Sequence, residues 1–198
     1  MATTRVTISY VVNPVEGASK NSMKVYPAEL ADLNTCCKIN ASYITDYVWQ
    51  MQSRDNGHST DIRFDTVRLP RSMQVTYPRS PDELFEHWQQ DGCFLVARND
   101  SDDVIGFIDA HPHPWQNLLW IYNLVVDKPN RKQGCGKLLV RTAMQWAMEH
   151  NLHKVMLDVQ TKNHPGISFA QKLGFQFCGY HEHFYANRDI ALFFYQTI

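Results

Sequence analysis

Hydrophobic and polar residues follow one another in patterns that predict strands interleaved with helices. Alternation predicts strands at Arg5–Val12 and Arg63–Leu69, and the second of these is expected to stop at Pro70. Nearly continuous apolar runs, typical of strands buried on both faces, occupy Leu118–Val126 and Val155–Gln160. The remaining predicted strands form two antiparallel pairs, Cys93–Arg98 with Val104–Ala110 and Phe175–His183 with Ile190–Thr197.

Four further segments have the spacing or the end signals of helices. Ser80 and Glu83 form a capping box, which predicts a short helix that ends near Gln90. An apolar stripe predicts a longer helix that ends near His150, with Asn151 in the left-handed position after it. The other two helices are predicted at Pro27–Lys38 and Pro165–Leu173. Strands that alternate with helices predict an α/β (α+β) fold with a mixed sheet.

Composition and charge exclude several classes of protein. The chain has 198 residues, 44% hydrophobic and 20% charged, which predicts one globular domain rather than a disordered or fibrous chain. Lys and Arg number 19 against 20 Asp and Glu, so the basic excess of a nucleic-acid-binding protein is missing. No apolar run reaches the ~20 residues of a bilayer span, and the start lacks a signal-peptide pattern. Five cysteines, an odd number without CxxC spacing, predict a reducing, cytoplasmic location.

The strongest chemical signal is a basic, glycine-rich loop at 131–137, between an apolar strand and a predicted helix. Glycines allow a tight turn and a close approach of the backbone to a ligand. The first amides of a helix lack partners in that helix and carry partial positive charge, which suits a phosphate group. The loop matches neither the P-loop pattern nor the dinucleotide GxGxxG pattern. A plain strand-to-helix turn rich in glycine therefore stays the alternative interpretation.

Two ordered motifs resemble those of one enzyme family. The spacing Arg131-x-x-Gly134-x-Gly136 after an apolar strand resembles the acetyl-CoA loop of the GNAT N-acetyltransferase superfamily. Downstream, a second set resembles the family pattern N-x-x-A-x-x-F-Y-x-K-x-G-F, namely Asn163, Phe169, Lys172, Gly174 and Phe175. The end of the chain, from Met156 to Tyr195, is also similar to streptothricin-type acetyltransferases. The resemblance covers 118–177 and extends over 93–198.

The resemblance implies a single GNAT-like domain with a mixed, mostly antiparallel sheet flanked by helices. A splayed parallel strand pair would bind acetyl-CoA, and no metal is implied. Residues 93–198 would form the acetyl-CoA-binding core, and residues 1–80, which match no known motif, would form the substrate side as a lid or a homodimer surface. The residues implied to bind acetyl-CoA are Leu124, Val125, Val126, Arg131, Lys132, Gln133, Gly134, Cys135, Gly136, Lys137, Asn163, Phe169 and Lys172.

The implied reaction is direct attack of a primary amine, from a small molecule or an exposed peptide, on the thioester. The amine must lose a proton, and the family often uses a Glu as base and a Tyr as acid; here Asn123 and Ala170 stand at those positions. The candidate catalytic residues are Asn123, to contact substrate or hold a water, Asp158, to anchor a water chain to the amine, and Tyr185, to protonate the thiolate. Because the usual proton-transfer groups are missing, a non-catalytic CoA-binding sensor or interaction module stays an alternative, and a protein-interaction domain without a ligand is a third.

Histidines and one cysteine offer further candidates. His111 with His113, and His181 with His183, are spaced so that both rings of a pair lie on one face of a strand. Such a pair permits metal binding, but a third ligand at a recognised spacing is missing, so of these two roles that of a base is favoured over that of a metal ligand. Cys135 begins the predicted long helix, where a thiol pKa can fall, which leaves a covalent acetyl-cysteine route as a further alternative.

Overall fold

A computed structural model describes residues 23–198. These residues form nine strands: β1 (Lys24–Pro27), β2 (Tyr43–Asp55), β3 (Thr60–Val75), β4 (Cys93–Arg98), β5 (Val104–His113), β6 (Leu118–Val126), β7 (Lys154–Gln160), β8 (Gln176–His181) and β9 (Ala191–Thr197). They also form four α-helices: α1 (Leu30–Lys38), α2 (Leu84–Gln89), α3 (Cys135–Glu149) and α4 (His164–Lys172). No helix in this part of the chain combines the length and the apolar character that crossing a membrane requires.

Seven of the described strands form one sheet in the order β1-β4-β5-β6-β7-β9-β8, and β2 pairs with β3 in a separate sheet. The pairs β1–β4, β4–β5, β5–β6 and β8–β9 are antiparallel. The strands β6 and β7 form a parallel pair. The expected mixed, mostly antiparallel sheet flanked by helices is therefore confirmed, whereas the splay of the parallel pair stays a prediction.

Most of the predicted elements occur, and several have shifted ends. The strand β6 occupies the predicted range Leu118–Val126, and Asn151 follows α3 in the left-handed conformation, with φ of 57°. Pro27 ends β1, so α1 begins later than predicted. Ser80 precedes a 3₁₀ turn that leads into α2, and its hydroxyl accepts from the amide of Asp82. The strand predicted at 5–12 lies outside the described residues.

The long hairpin of β2 and β3 departs most from the sequence prediction. We expected a strand that stops at Pro70, but β3 runs through Pro70 to Val75. In a two-stranded sheet each strand has one open edge, where the missing N–H of a proline costs no ladder hydrogen bond. The register also shifts between Thr45 and Tyr47, which pair with Met73 and Arg68 on either side of this proline. The sequence analysis missed the strand β2, whose second half, Gln50–Asp55, is mostly polar and exposed.

The described chain divides into two compact units, and the division falls within β7, after Met156. The first unit holds the described residues up to Ala41, Ser80–Met156 and Thr197–Ile198. In it α3 packs on β4, β5 and β6. Its core consists of aliphatic side chains that are almost wholly removed from water, and burying each contributes about 1.5–3 kcal/mol. They include Leu95, Val96, Ile108, Leu119, Leu139 and Val140.

The second unit, Ser42–Arg79 with Leu157–Gln196, has an aromatic core. The ring centroid of Trp49 lies 6.1 Å from those of Phe177 and Phe194, and Phe64 lies 5.6 Å from Phe177. A buried amide links three segments of this unit: Gln160 accepts from the Tyr43 hydroxyl at 2.8 Å and donates to Asp189 at 2.7 Å. Satisfied polar groups of this kind fix one arrangement of the segments around the aromatic cluster.

Gly106 in β5 lets the first turn of α3 approach the sheet closely. A Cβ at this position would lie 2.8 Å from the carbonyl oxygen of Val125 and 3.3 Å from the sulfur of Cys135. The first neighbour is backbone and cannot move without disturbing the β5–β6 ladder. The start of α3 therefore depends on a residue without a side chain in the neighbouring strand.

We expect Gly106→Ala to lower the free energy of unfolding by about 1–3 kcal/mol, because the added methyl group overpacks this contact. Urea denaturation would measure the loss. The control is Gly179→Ala in β8, where an added Cβ meets nothing within 4 Å and φ needs no glycine. Equal losses in the two variants would contradict the close-packing explanation.

Candidate active site

The loop at 131–137 leads directly into the start of α3. Gly134 is the N-cap residue, and its φ of 96° lies in the region that favours glycine. The first hydrogen bond of the helix runs from the Leu138 amide to the Gly134 carbonyl at 3.0 Å. Helix geometry therefore leaves the amides of Cys135, Gly136 and Lys137 without a carbonyl partner in their own helix. A Cβ at Gly134 would meet nothing within 4 Å, so the space beside these amides is open for an anion.

The arginine of this loop holds the backbone in place. The Nε of Arg131 donates to the carbonyl of Val126 at 2.8 Å, and its terminal nitrogen donates to the carbonyl of Asn40 at 2.9 Å. These bonds tie the loop to the end of β6 and to the segment that follows α1. The side chains of Lys132 and Lys137 are exposed at the same loop. The lysines thus add positive charge at this loop, whereas the phosphate contact expected for Arg131 stays a prediction.

Cys135 lies in the core and is only 1% exposed. Burial raises the pKa of its thiol to about 12, so the group is a neutral thiol at physiological pH. A thiol attacks a thioester far less readily than a thiolate does. The geometry therefore disfavours the covalent acetyl-cysteine route and favours a packing role for this side chain.

The strand β6 carries a bulge one residue before Asn123. Asp109 of β5 pairs with Asn123 and the next residue, Ala110, pairs with Ile121, so Tyr122 is an extra residue in β6. Further along, Leu124, Val125 and Val126 pair regularly with Ile108, Phe107 and Gly106. Bulges re-aim neighbouring side chains and are frequent beside active sites. This one lies next to the segment that the family resemblance assigns to acetyl-CoA.

Four polar residues of the first unit meet at this bulge and are called the Asp109 cluster: His87, Asp109, His111 and Asn123. One carboxylate oxygen of Asp109 lies 2.7 Å from Nδ1 of His87 and 2.8 Å from the amide nitrogen of Asn123, and the other lies 3.0 Å from Nε2 of His111. Burial alone would raise the pKa of Asp109, but the hydrogen bonds from His111, His87 and Asn123 outweigh it and lower the pKa to about 2. Asp109 is therefore a buried carboxylate.

Sequence reasoning identified only part of this cluster. It named Asn123 and His111 but missed His87 and Asp109. Asp109 interrupts an apolar strand just as Asn123 does, so the same signal was present in the sequence. His87 lies on a short helix with no local pattern to mark it, and only the fold brings it to Asp109. The amide of Asn123 makes a structural hydrogen bond, and its contact with a substrate stays a prediction.

The other two candidate catalytic residues lie together in the second unit. Asp158 accepts two hydrogen bonds from Arg79, at 2.8 and 2.9 Å, and one from the hydroxyl of Tyr185 at 2.6 Å. The Asp158 side chain is fully enclosed, and Arg79 is only 13% exposed. Burial and the Asp158 charge both raise the pKa of Tyr185. This arrangement indicates a structural role, and the catalytic roles of Asp158 and Tyr185 stay predictions.

The second sequence motif forms the start and body of α4. The side-chain oxygen of Asn163 caps this helix by accepting from the Gly166 amide at 2.9 Å. Phe169 is half-buried and Lys172 is exposed. Ala170, which stands where the family often has a tyrosine acid, is fully buried. The contacts expected between this motif and the pantetheine arm stay predictions, and a core position explains why Ala170 is small and apolar.

We expect Asp158→Asn to destabilise the protein by about 3–5 kcal/mol, because it leaves the Arg79 charge buried without its partner. The control is Asp65→Asn, whose ion pair with Arg63 is exposed and is worth at most about 1 kcal/mol. Urea denaturation of both variants measures the difference. A loss in Asp158→Asn as small as that in the control would contradict the structural role of the buried pair.

Comparisons with known sequences all point to one family. A model of the acetyltransferase (GNAT) family matches residues 64–175. Human N-acetyltransferase 8 is 33% identical over 95 residues, which are 46% of this chain and 41% of that protein. Streptothricin acetyltransferase from Streptomyces lavendulae is 32% identical over 89 residues, 45% of this chain and 47% of that protein. The chain thus matches under half the length of these curated relatives.

Solved structures with the same fold match almost end to end. A nourseothricin acetyltransferase superposes with a TM-score of 0.76 at 21% identity, over 88% of this chain and 98% of that one. A protein from Bacillus anthracis, provisionally described as a streptothricin acetyltransferase and solved with acetyl coenzyme A, gives 0.73 at 25% identity, over 89% and 100%. Because the family match also covers more than half of the 198 residues, the chain belongs to the acetyltransferase (GNAT) family.

Proposed function

We propose that the protein transfers an acetyl group from acetyl-CoA to a primary amine of a small molecule or an exposed peptide. The observation that carries this proposal is the start of α3, where open space at Gly134 adjoins three amides without helical partners. Lys132 and Lys137 add full positive charge to the partial charge of the helix end. A pyrophosphate group has the size and charge for such a site.

Family membership supports the reaction class. The relatives include proteins named for acetyl transfer to streptothricin and nourseothricin, and one related structure contains acetyl coenzyme A. In this proposal the amides at the start of α3 hold the pyrophosphate, and the backbone of Leu124–Val126 lies along the pantetheine arm. A backbone N–H of Val125 or Val126 would donate to the acetyl carbonyl and stabilise the negative charge that develops there during attack.

The amine attacks the thioester carbon directly. Its lone pair forms the new C–N bond, and the C–S bond breaks with its electron pair on sulfur, which leaves as the CoA thiolate. The charged amine must first lose a proton, because a lysine-like amine with a pKa of about 10.4 is almost fully protonated at neutral pH. Direct transfer fits the burial of Cys135, which is held as a neutral thiol.

A second candidate function is that of a CoA-binding sensor without catalysis. The observation that favours it is the identity of the two positions where the family often has its base and acid. Asn123 cannot accept a proton at neutral pH and donates to Asp109, and Ala170 has no ionisable group. The two functions share the acetyl-CoA site and differ in turnover.

We expect Gly134→Glu to weaken acetyl-CoA binding by at least about 100-fold, because the new side chain would fill the open space and repel phosphate. Isothermal titration calorimetry with acetyl-CoA measures the effect. The control is Gly57→Glu in the β2–β3 turn, where φ is also positive and an added Cβ also meets nothing within 4 Å. Failure of the unaltered protein to bind acetyl-CoA at high micromolar concentration would overturn the proposed site.

We expect the protein to release free CoA thiol from acetyl-CoA when primary amines are added. A colorimetric thiol assay, run with a panel of small amines and short peptides, measures the rate, and a reaction without amine gives the hydrolysis background. Turnover well above that background excludes the sensor function. Binding of acetyl-CoA without amine-dependent turnover would instead support the sensor.

A further inference from the structure

We propose that His87 accepts the proton that the attacking amine must lose, and that Asp109 and His111 hold its ring in position. This role rests on the proposed N-acetyltransferase function. It supplies the proton acceptor that Asn123, at the usual position of the base, cannot provide. His87 would be the catalytic residue, and Asp109 and His111 would be positioning residues.

The location of the Asp109 cluster is the first observation that supports this role of His87. Asp109 pairs with Asn123 across β5 and β6, and the next residue of β6 is Leu124. Leu124–Val126 is the segment proposed to lie along acetyl-CoA. His87 reaches the cluster from α2, with Nδ1 at 2.7 Å from the Asp109 carboxylate. Through Asp109, His87 is therefore linked to Asn123, the residue that immediately precedes Leu124–Val126 in β6.

The hydrogen bonds assign which nitrogen of His87 accepts the proton. Asp109 is ionised and can only accept, so Nδ1 of His87 carries the hydrogen that points to it. In the neutral ring the lone pair is then on Nε2. A carboxylate behind the ring also stabilises the imidazolium that forms when Nε2 takes a proton. Histidine is the side chain whose ordinary pKa suits this exchange near neutral pH.

His111 is less suited to accept the proton, although it also forms a hydrogen bond with Asp109. Its Nε2 faces the carboxylate, so its lone pair is on Nδ1. That nitrogen lies against Gly92, where an added Cβ would be only 3.0 Å away. The side chain of His87 is 17% exposed and that of His111 is 11%. The greater exposure of His87 and the packing of His111 Nδ1 against Gly92 favour His87 as the proton acceptor and His111 as the supporting contact.

Other titratable groups lie around His87. Among the contacts of the described residues, Asp109 and His111 face it from β5 and Tyr122 faces it from β6. The ring centroid of His87 lies 4.9 Å from that of His111 and 5.5 Å from that of Tyr122. The Tyr122 hydroxyl in turn lies 3.4 Å from Nε2 of His113. Asp109 is the carboxylate of this group and balances the charge that His87 gains.

The proton balance of the step is complete without another reactant. The ammonium form of the substrate gives one proton to Nε2 of His87, and the freed lone pair forms the C–N bond. The C–S bond breaks, and the second proton lost from nitrogen passes to the CoA thiolate. His87 returns its proton to water before the next turnover. The products are the acetamide, CoA thiol and one proton in solution.

The alternative to this proton transfer is a metal ion bound by the same atoms, and the experiment must distinguish the two. The ligand atoms of His87, Asp109 and His111 all lie within 4.8 Å of one another, which a metal ion could use. A zinc ion would require each ligand atom at about 2.0–2.2 Å from one centre. The described arrangement instead has direct donor–acceptor contacts of 2.7 and 3.0 Å between the rings and the carboxylate. These distances are those of hydrogen bonds, and the chelator experiment below tests for a metal.

We expect His87→Gln to lower kcat by about 10²–10⁴-fold with the amine that the unaltered protein acetylates best, because the proton acceptor is lost. Acetyl-CoA affinity, measured by calorimetry, should not change. Added imidazole should restore part of the rate of His87→Ala.

Asp109→Asn should lower kcat similarly, because an amide can donate to Nδ1 and move the ring hydrogen to Nε2. The control is His150→Gln at the end of α3, where the ring stacks on Trp146.

The pH profile separates this role from a structural one. For the unaltered protein kcat/KM should rise with pH as His87 loses its proton and then level off. In His87→Gln that limb should vanish, and the rate should follow ionisation of the free amine, rising toward pH ~10. A structural role would lower the rate without moving the profile.

Each outcome of these experiments has a definite meaning. If the unaltered protein acetylates no amine, the proposed function fails and the role of His87 fails with it. If it turns over but His87→Gln keeps its rate and its pH limb, only the role of His87 is overturned. Loss of activity in a chelator, with recovery on adding Zn²⁺, would overturn this proton transfer in favour of a metal held by the same atoms.

Discussion

The pairing of β5 with β6 is the constraint on which the candidate active site depends. Asp109 and His111 are two residues apart in β5 and face one side of the sheet. Their partners in β6, Asn123 and Trp120, are three residues apart and would face opposite sides in a regular strand. The extra residue Tyr122 allows Asn123 and Trp120 to face the same side of the sheet as their partners in β5. One added residue therefore brings the polar groups to one side while Leu124–Val126 keep a regular ladder.

The proposed anion site depends on the same pair of strands. Gly106 of β5 lies opposite Val126, and its missing side chain leaves room for Cys135 at the start of α3. Arg131 then fixes the loop to the carbonyl of Val126. The net charge of the chain is −1, yet the start of α3 has a helix end and two exposed lysines. The position of α3 on the sheet, rather than the overall charge, makes this region suited to phosphate.

Sequence patterns best predicted the elements in which the order of residues along the chain directly determines which side chains are buried. The run Leu118–Val126 became β6 with the predicted ends, because a strand that is largely covered on both faces is apolar along nearly its whole length. The hairpin of β2 and β3 was largely missed, since exposed strands are free to be polar and Pro70 tolerates an open edge. The parts of the candidate site that the sequence predicted are likewise local: a glycine at a helix start and a polar residue in a buried strand.

By itself, the sequence determined the mixed fold, the glycine-rich start of α3 and the resemblance to one acetyltransferase family, because each depends on residues close together in the chain. The Asp109 cluster was decided only by the tertiary structure. His87 is 22 residues from Asp109, and Asn123 is 14 residues away on another strand. Their meeting depends on how α2 packs and on a one-residue shift of register. Neither leaves a periodic signal in the sequence, because both arise from contacts between separate elements.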